Sequence, residues 1–180
     1  MRVGGALTLP ARFQLVAAMN PCPCGGAASP DAGCRCAPGV PERYAGRVSG
    51  PLRDRIDLWV EMPRVVAAEL VGPSRAEASV VVAGRIAVAR AVALARGRRA
   101  NARLDGARLR AACRLRSADE ELVASIAFAA GLSARGVGRL LRVARTIADL
   151  DASPTVRHEH LEEAARFRVP GGPSVGRLAS

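Results

Sequence analysis

Apolar positions follow two different periods along this chain. Phe13-Gln-Leu-Val-Ala-Ala-Met19 is a short apolar run that stops at Asn20-Pro21, which predicts a buried strand closed by a turn. Ile56, Leu58, Val60 and Met62 alternate with polar residues or Trp59, predicting a half-buried strand that Pro63 ends. Between them, residues 21–41 are rich in Gly, Pro, Ala and Cys and carry no periodic pattern. A loop of that length inside a compact domain needs a function or a local staple. Residues 42–48 predict a short helical turn, and Gly50-Pro51 opens the segment that runs through Arg53-Asp54-Arg55 into the second strand.

From residue 74 the period becomes helical. Helices are predicted over 74–98, 104–112, 117–130, 133–150 and 157–168. Ser117-Ala-Asp-Glu120 has the spacing of a capping box, and Ser133 is a natural cap for the next helix. In that helix Val137, Leu140, Leu141, Ala144, Ile147 and Ala148 form one apolar stripe. Arg135, Arg139 and Arg142 form a basic stripe away from it, with Arg145 to the side. Residues 67–73 are the expected linker. The predicted architecture is an α/β segment over 1–66, an all-α domain over 74–168, and a disordered tail over 169–180 that begins around Pro170-Gly-Gly-Pro173. No internal repeat is visible.

Composition sharpens this picture in three ways. Aromatic residues make up 3% of the 180, so the core has to be built from Ala, Val, Leu and Ile. The formal net charge is +11, and all 27 basic residues are arginine. That excess suits a polyanionic partner such as nucleic acid or nucleotide phosphate, and equally suits an arginine- and alanine-rich composition with no such role. Residues 1–11 lack the continuous apolar stretch of a signal peptide, and the most apolar long window, 76–95, is broken by Glu77, Arg85 and Arg90. The expectation is a cytoplasmic protein without membrane contact, in which paired cysteines serve more often as metal ligands than as disulfides.

Three groups of residues carry candidate chemistry. Cys22, Cys24, Cys34 and Cys36 form two close pairs on the unsupported loop and can enclose a tetrahedral Zn²⁺; a redox disulfide pair and unligated cysteines are the other readings. Cys113 falls on a helical stretch and reads as a small buried apolar residue. Asn20, at the end of the first strand, either orients a water near a ligand or caps the turn before Pro21. Arg53-Asp54-Arg55-Ile56-Asp57 is either a surface ion-pair cluster or an arginine held extended by carboxylates and presented to a neighbouring subunit's phosphate.

Taken in order, 13–25 with Cys34-x-Cys36, then Ser49-Gly-Pro-Leu-Arg-Asp-Arg-Ile-Asp-Leu58, resemble the second half of the AAA+ core in ComM/YifB-type magnesium-chelatase-like proteins. Leu132-Ser-Ala-Arg135 through Leu140-Leu-Arg-Val-Ala-Arg-Thr-Ile-Ala-Asp-Leu150 resembles that family's C-terminal helical lid. The resemblance runs from about residue 11 to 167. It implies an AAA+ core remnant followed by the lid, with Asn20 as sensor 1, Arg55 as an arginine finger acting in trans, and Arg135 as sensor 2. It also implies ATP with Mg²⁺ as cofactor, a homo-oligomeric ring, expected to be a hexamer, and DNA as partner of a branch-migration helicase of the competence type. The cysteine loop matches a Cys-rich insertion of this subgroup. Two departures stand out. A chain without lysine cannot contain a Walker A lysine, and no Walker B carboxylate pair precedes Phe13, so the expectation is a C-terminal part that does not hydrolyse ATP alone. Arg53 stands where the family usually has an apolar residue.

Two other readings remain open at this level. Residues 129–141 also fit a helix-turn-helix, which with a zinc loop would make a DNA-binding regulator. The chain also fits a chelatase-type ATPase subunit that remodels a partner protein.

Overall fold

Proline and serine decide where the first helices begin. The computed structural model of the protein describes residues 13–28, 33–62, 65, 71–72 and 76–168. Pro41 and Pro51 lie in the first turns of α1 (Val40–Ala45) and α2 (Gly50–Arg53), where a missing N–H costs nothing. Ser49 caps α2 by accepting from the Leu52 N–H at 3.4 Å. The chain divides into two compact units, Met1–Arg47 and Val48–Ser180. Most of the expected linker at 67–73, and all of the expected tail at 169–180, lie outside the described residues.

The two expected strands do not pair. Neither 13–19 nor 56–62 enters a β-ladder, and no strand occurs among the described residues. A strand is stable only against a neighbour that takes up its backbone N–H and C=O groups. Here Phe13, Val16 and Met62 stay exposed. In the second segment the Trp59 N–H instead donates to the Phe167 carbonyl at 2.9 Å. The α/β character read from the apolar pattern therefore does not appear as a sheet, and the described architecture is helical.

Five longer helices build the second unit: α3 (Ser79–Gly97), α4 (Gly106–Cys113), α5 (Ser117–Ala129), α6 (Ala134–Leu150) and α7 (His158–Arg166). A 3₁₀ turn at Asn101–Arg103 joins α3 to α4. Arg98 and Arg114 end α3 and α4 in the left-handed region, at φ 53° and 50°. The capping box expected at Ser117 is not formed. Arg116 occupies the cap position, its carbonyl accepts from Asp119 and Glu120, and its guanidinium pairs with the buried Asp119 at 2.9 Å. The helix starts one residue too early for Ser117 to reach back. Ser133 caps α6 as its sequence position predicts, accepting from the Gly136 N–H at 3.1 Å.

Helix α6 is the hub, packing against α3, α4, α5, α7 and the 3₁₀ turn. Its predicted stripe is the core. Leu140, Leu141, Ala144, Ile147 and Ala148 are buried with Leu109, Cys113, Ile126 and Leu161, and Val137 packs at the edge. With so few aromatics, close approach of helices through alanine replaces large side chains: Ala144, Ala148 and Ala164 have no exposed surface. No helix among the described residues is long and apolar enough to cross a membrane.

One polar cluster is sealed into this core. Arg145 is fully buried; it donates to Asp149 at 3.0 Å and to the carbonyls of Ala112, Ser153 and Pro154. Arg96 reaches Asp149 from α3 at 2.6 and 2.7 Å, and the Asn101 amide adds a bond at 2.7 Å. Desolvation alone would raise the Asp149 carboxyl. The hydrogen bonds from Arg96 and Asn101, with the charges of Arg145 and Arg96, outweigh it and hold the pKa below the ordinary carboxylate value.

Removing one partner from such a cluster leaves buried charge uncompensated. Asp149→Ala should destabilise the protein by roughly 3–5 kcal/mol in urea unfolding. Because the folded-state pKa is depressed, the contribution of Asp149 is present above the unfolded carboxylate value and lost as pH falls through the folded one. The acid limb of the wild-type stability curve should therefore lie below about pH 4, as expected for a carboxylate with an unfolded pKa of about 3.9. Asp149→Asn should flatten that limb.

Candidate functional site

In the first unit, two turns bring the cysteines of the loop together. The four sulfurs of Cys22, Cys24, Cys34 and Cys36 lie within 4.8 Å of one another. Cys22 to Cys24 is 3.4 Å, Cys24 to Cys34 is 3.8 Å, and Cys34 to Cys22 is 3.7 Å. Ligands at about 2.3 Å around a tetrahedral ion stand about 3.8 Å apart, so this spacing fits such an ion. Glycine is required at 26, because a Cβ there would overlap the Gly33 carbonyl and push the two cysteine-bearing turns apart.

Backbone amides supply the electrostatics of the cluster. The Arg35 and Gly26 N–H groups each donate to the Cys24 sulfur at 3.4 Å, and the Ala27 N–H donates to Cys22 at 3.4 Å. The Arg35 and Gly26 amides, with smaller contributions from hydrogen bonds to the Cys22 and Cys36 thiols, lower the Cys24 thiol to about 6. At Cys36 a backbone hydrogen bond acts in the same sense, but desolvation and the neighbouring thiols outweigh it and push that group up to about 12. One thiolate is thus favoured in the metal-free cluster, and a divalent cation would favour all four. Asn20, two residues before Cys22, is exposed.

In the second unit, the segment around Arg55 is docked onto the start of α6. Asp54 accepts from the Ser133 hydroxyl at 2.9 Å, and its backbone carbonyl accepts from Arg139 at 2.9 Å. Arg139 also pairs with Asp57 at 3.0 Å. Arg168, just beyond α7 and almost fully buried, donates to the Ile56 carbonyl at 2.6 Å and lies 3.8 Å from Asp54. Burial, with the nearby charge of Arg139, lowers the Arg168 pKa despite the two carboxylates. Gly136 makes room for this arrangement: a Cβ there would sit 3.4 Å from the Asp54 carboxylate and 3.2 Å from the Leu132 side chain.

Arg55 is left outside these contacts. It is exposed, and among the described residues its guanidinium donates only to the Pro51 carbonyl, one helical turn back, at 3.0 Å. The carboxylates on either side of it therefore do not hold it, contrary to what their spacing suggests. Arg135 is exposed in the first turn of α6. With Arg139 and Arg142 it lines an open groove of about 450 Å³ against Gly106 and Leu109 of α4. The basic stripe is accordingly divided. Arg142 donates to the Leu104 carbonyl at 2.7 Å and Arg139 holds the Asp54–Asp57 turn, while Arg135 has no side-chain partner among the described residues.

Sequence reasoning missed both arginines that tie the structure together from inside, Arg145 and Arg168. The Arg145–Asp149 spacing of four was the available signal for the first. Arg168 offered none, since its partners are carbonyls more than a hundred residues away.

Residues 76–168 match the family model described as magnesium chelatase, subunit ChlI C-terminal, and residues 1–70 match that of magnesium chelatase, subunit ChlI. The chain is 41% identical over 171 residues to YifB of Escherichia coli, covering 93% of this chain and 33% of that protein. An uncharacterized protein of Mycobacterium bovis is 40% identical over 94% of the chain and 34% of its own length. The competence protein ComM of Haemophilus influenzae is 36% identical over 93% and 33%. The chain thus spans about a third of the length of the curated relatives it matches.

Cys113 stands apart from the loop cysteines. It is fully buried, and burial pushes its thiol up to about 11. In the native, metal-free protein at pH 7.5, mass spectrometry should find Cys113 the last cysteine alkylated, with modification only on unfolding.

Proposed function

The chain belongs to the magnesium chelatase family, and on that footing we propose that it is the C-terminal part of an AAA+ ATPase, carrying the last segments of the core and the helical lid. The observation that supports this most is the presentation of Arg55. Its flanking peptide groups are fixed to α6 and Arg168 while its own guanidinium stays exposed. An arginine so placed acts on a phosphate outside its own chain, as an arginine finger does in trans. Arg135 takes the sensor 2 role, reaching nucleotide phosphate from the groove at the start of α6. Asn20 takes the sensor 1 role, orienting water by accepting and donating hydrogen bonds.

Bound ATP with Mg²⁺ would supply the transferred phosphoryl group and its charge-neutralising ion. The residues of this chain only position and stabilise; a Walker A lysine is absent from its 180 residues, so the chain alone does not hydrolyse ATP. The complete assembly is a homo-oligomeric ring, a hexamer, in the cytoplasm. The motif resemblance to competence-type helicases implies DNA as its substrate and branch migration as its task, and a competence protein is among its relatives. Family membership also covers the reading as a partner-remodelling chelatase subunit, whereas the exposed Arg55 has no role in a helix-turn-helix regulator.

The sulfurs of Cys22, Cys24, Cys34 and Cys36 hold a structural Zn²⁺, whose binding replaces the missing hydrophobic support of the loop. Purified, unchelated protein should contain close to one equivalent of zinc by atomic absorption. A value below about half an equivalent, judged against a single four-sulfur site, would remove this assignment.

The finger role has its own test, in a polypeptide that supplies the Walker A and B segments in front of this chain. Arg55→Ala should lower ATP turnover by about 10³-fold or more and leave ATP binding in place. Mixing it with subunits disabled in Walker A should restore part of the activity, because each brings what the other lacks. Unchanged turnover in Arg55→Ala would refute the reading.

A further inference from the structure

Two carboxylates flank Arg55, and neither touches it. The Asp54 carboxylate instead accepts from the hydroxyl of Ser133, the residue whose other contact caps α6. It lies at the positive end of a 17-residue helix, against the one buried glycine of that helix's first turn. The Asp57 carboxylate pairs with Arg139, one turn further along α6. The carbonyls of Asp54 and Ile56, on the two sides of Arg55, accept from Arg139 and Arg168. These four polar contacts converge on residues 54–57, and all of them bypass the Arg55 side chain.

We propose that Asp54 is a positioning residue for Arg55, holding the turn that presents it through the Ser133 hydroxyl at the cap of the lid helix. This rests on the finger reading of Arg55. The contact has a geometric purpose that an ordinary surface ion pair lacks. A finger contributes only when its guanidinium meets a phosphate at hydrogen-bond distance, and displacement by about 1 Å can cost on the order of 10²-fold in rate. Arg55 has a long, exposed side chain, so its reach is set by where its backbone is pinned. Asp54 pins it to a residue two positions before Arg135. The arginine offered to the neighbouring subunit and the arginine that meets the subunit's own nucleotide are therefore mounted on one helix end.

The test uses the same Walker-competent polypeptide, comparing Asp54→Ala, Ser133→Thr and Arg55→Ala. Asp54→Ala removes the acceptor but leaves Ser133 free to cap α6; it should lower kcat by roughly 10–100-fold with KM for ATP nearly unchanged, while the melting temperature falls only modestly through the loss of the carboxylate beside buried Arg168. Ser133→Thr keeps the hydroxyl and should retain wild-type kcat. Within the present chain, the amides of Arg55 and Ile56, which bond to Leu52 and Arg53, should exchange with deuterium faster in Asp54→Ala. If Arg55→Ala abolishes turnover while Asp54→Ala turns over and exchanges like wild type, the positioning role is wrong and the finger stands. If Arg55→Ala has no effect, the finger reading fails first. A loss in Asp54→Ala that appears only as a lower melting temperature would mark the contact as structural and overturn the proposal.

Discussion

Everything in the helical unit is organised around one buried carboxylate, Asp149. Two guanidiniums and a side-chain amide reach it from α3, α6 and the 3₁₀ turn, and Arg145 passes the connection on to the carbonyls of residues 112, 153 and 154. These carbonyls lie at the end of α4 and in the α6–α7 connection, places where helices leave backbone acceptors unpaired. The cluster thus satisfies groups that an alanine-built core could not. The fully buried charges, Arg145 and Asp149, balance each other, while Arg96 reaches in from a partly exposed position and the carbonyl dipoles that Arg145 gathers add to its support. A hydrophobic replacement would relieve that desolvation but strand the carbonyls, which is why a charged residue suits this place.

The same logic recurs at the other end of α6, on a smaller scale. Arg139 and Arg168 match Asp54 and Asp57 in charge, and both arginines also take up backbone carbonyls of the 54–57 turn. Helix α6 therefore serves as a ruler: its C-terminal end is locked into the core by Arg145 and Asp149, and its N-terminal end carries the docked turn. The helix between these two sets of contacts ties the position of residues 54–57 to the core. Arg55 and Arg135 are held on this frame without being buried, as the phosphate-contacting roles proposed for them require.

The cysteine loop reaches local order by different means. Its residues offer little apolar surface to bury, and the organising contacts are sulfur–sulfur approaches at 3.4–3.8 Å backed by three amide donors. Two of the amides favour the Cys24 thiolate, and Gly26 provides the space for the two turns to close.

Much of this was written in the chain itself. The apolar stripe of α6 became the core because the 3.6 period leaves one face to bury, and Ser133 capped the helix because its position left no better donor or acceptor. The four cysteines converged as their pairing implied, and the order of motifs identified the family. Elsewhere local pattern was overruled. The apolar alternation of 56–62 specifies a face to be covered but not the neighbour that makes a strand, and no partner strand occurs among the described residues. Ser117 lost its capping box to a one-residue shift in helix start that the Arg116–Asp119 pair favours. Asp54 and Asp57 looked like supports for Arg55, and their true partners lie about eighty residues on. Periodicity and the Ser133 cap were legible because they need only near neighbours, whereas the Ser117 cap failed where a neighbouring ion pair shifted the helix start. Which charge meets which carbonyl across the fold depends on how the helices pack, and only the tertiary structure decides that.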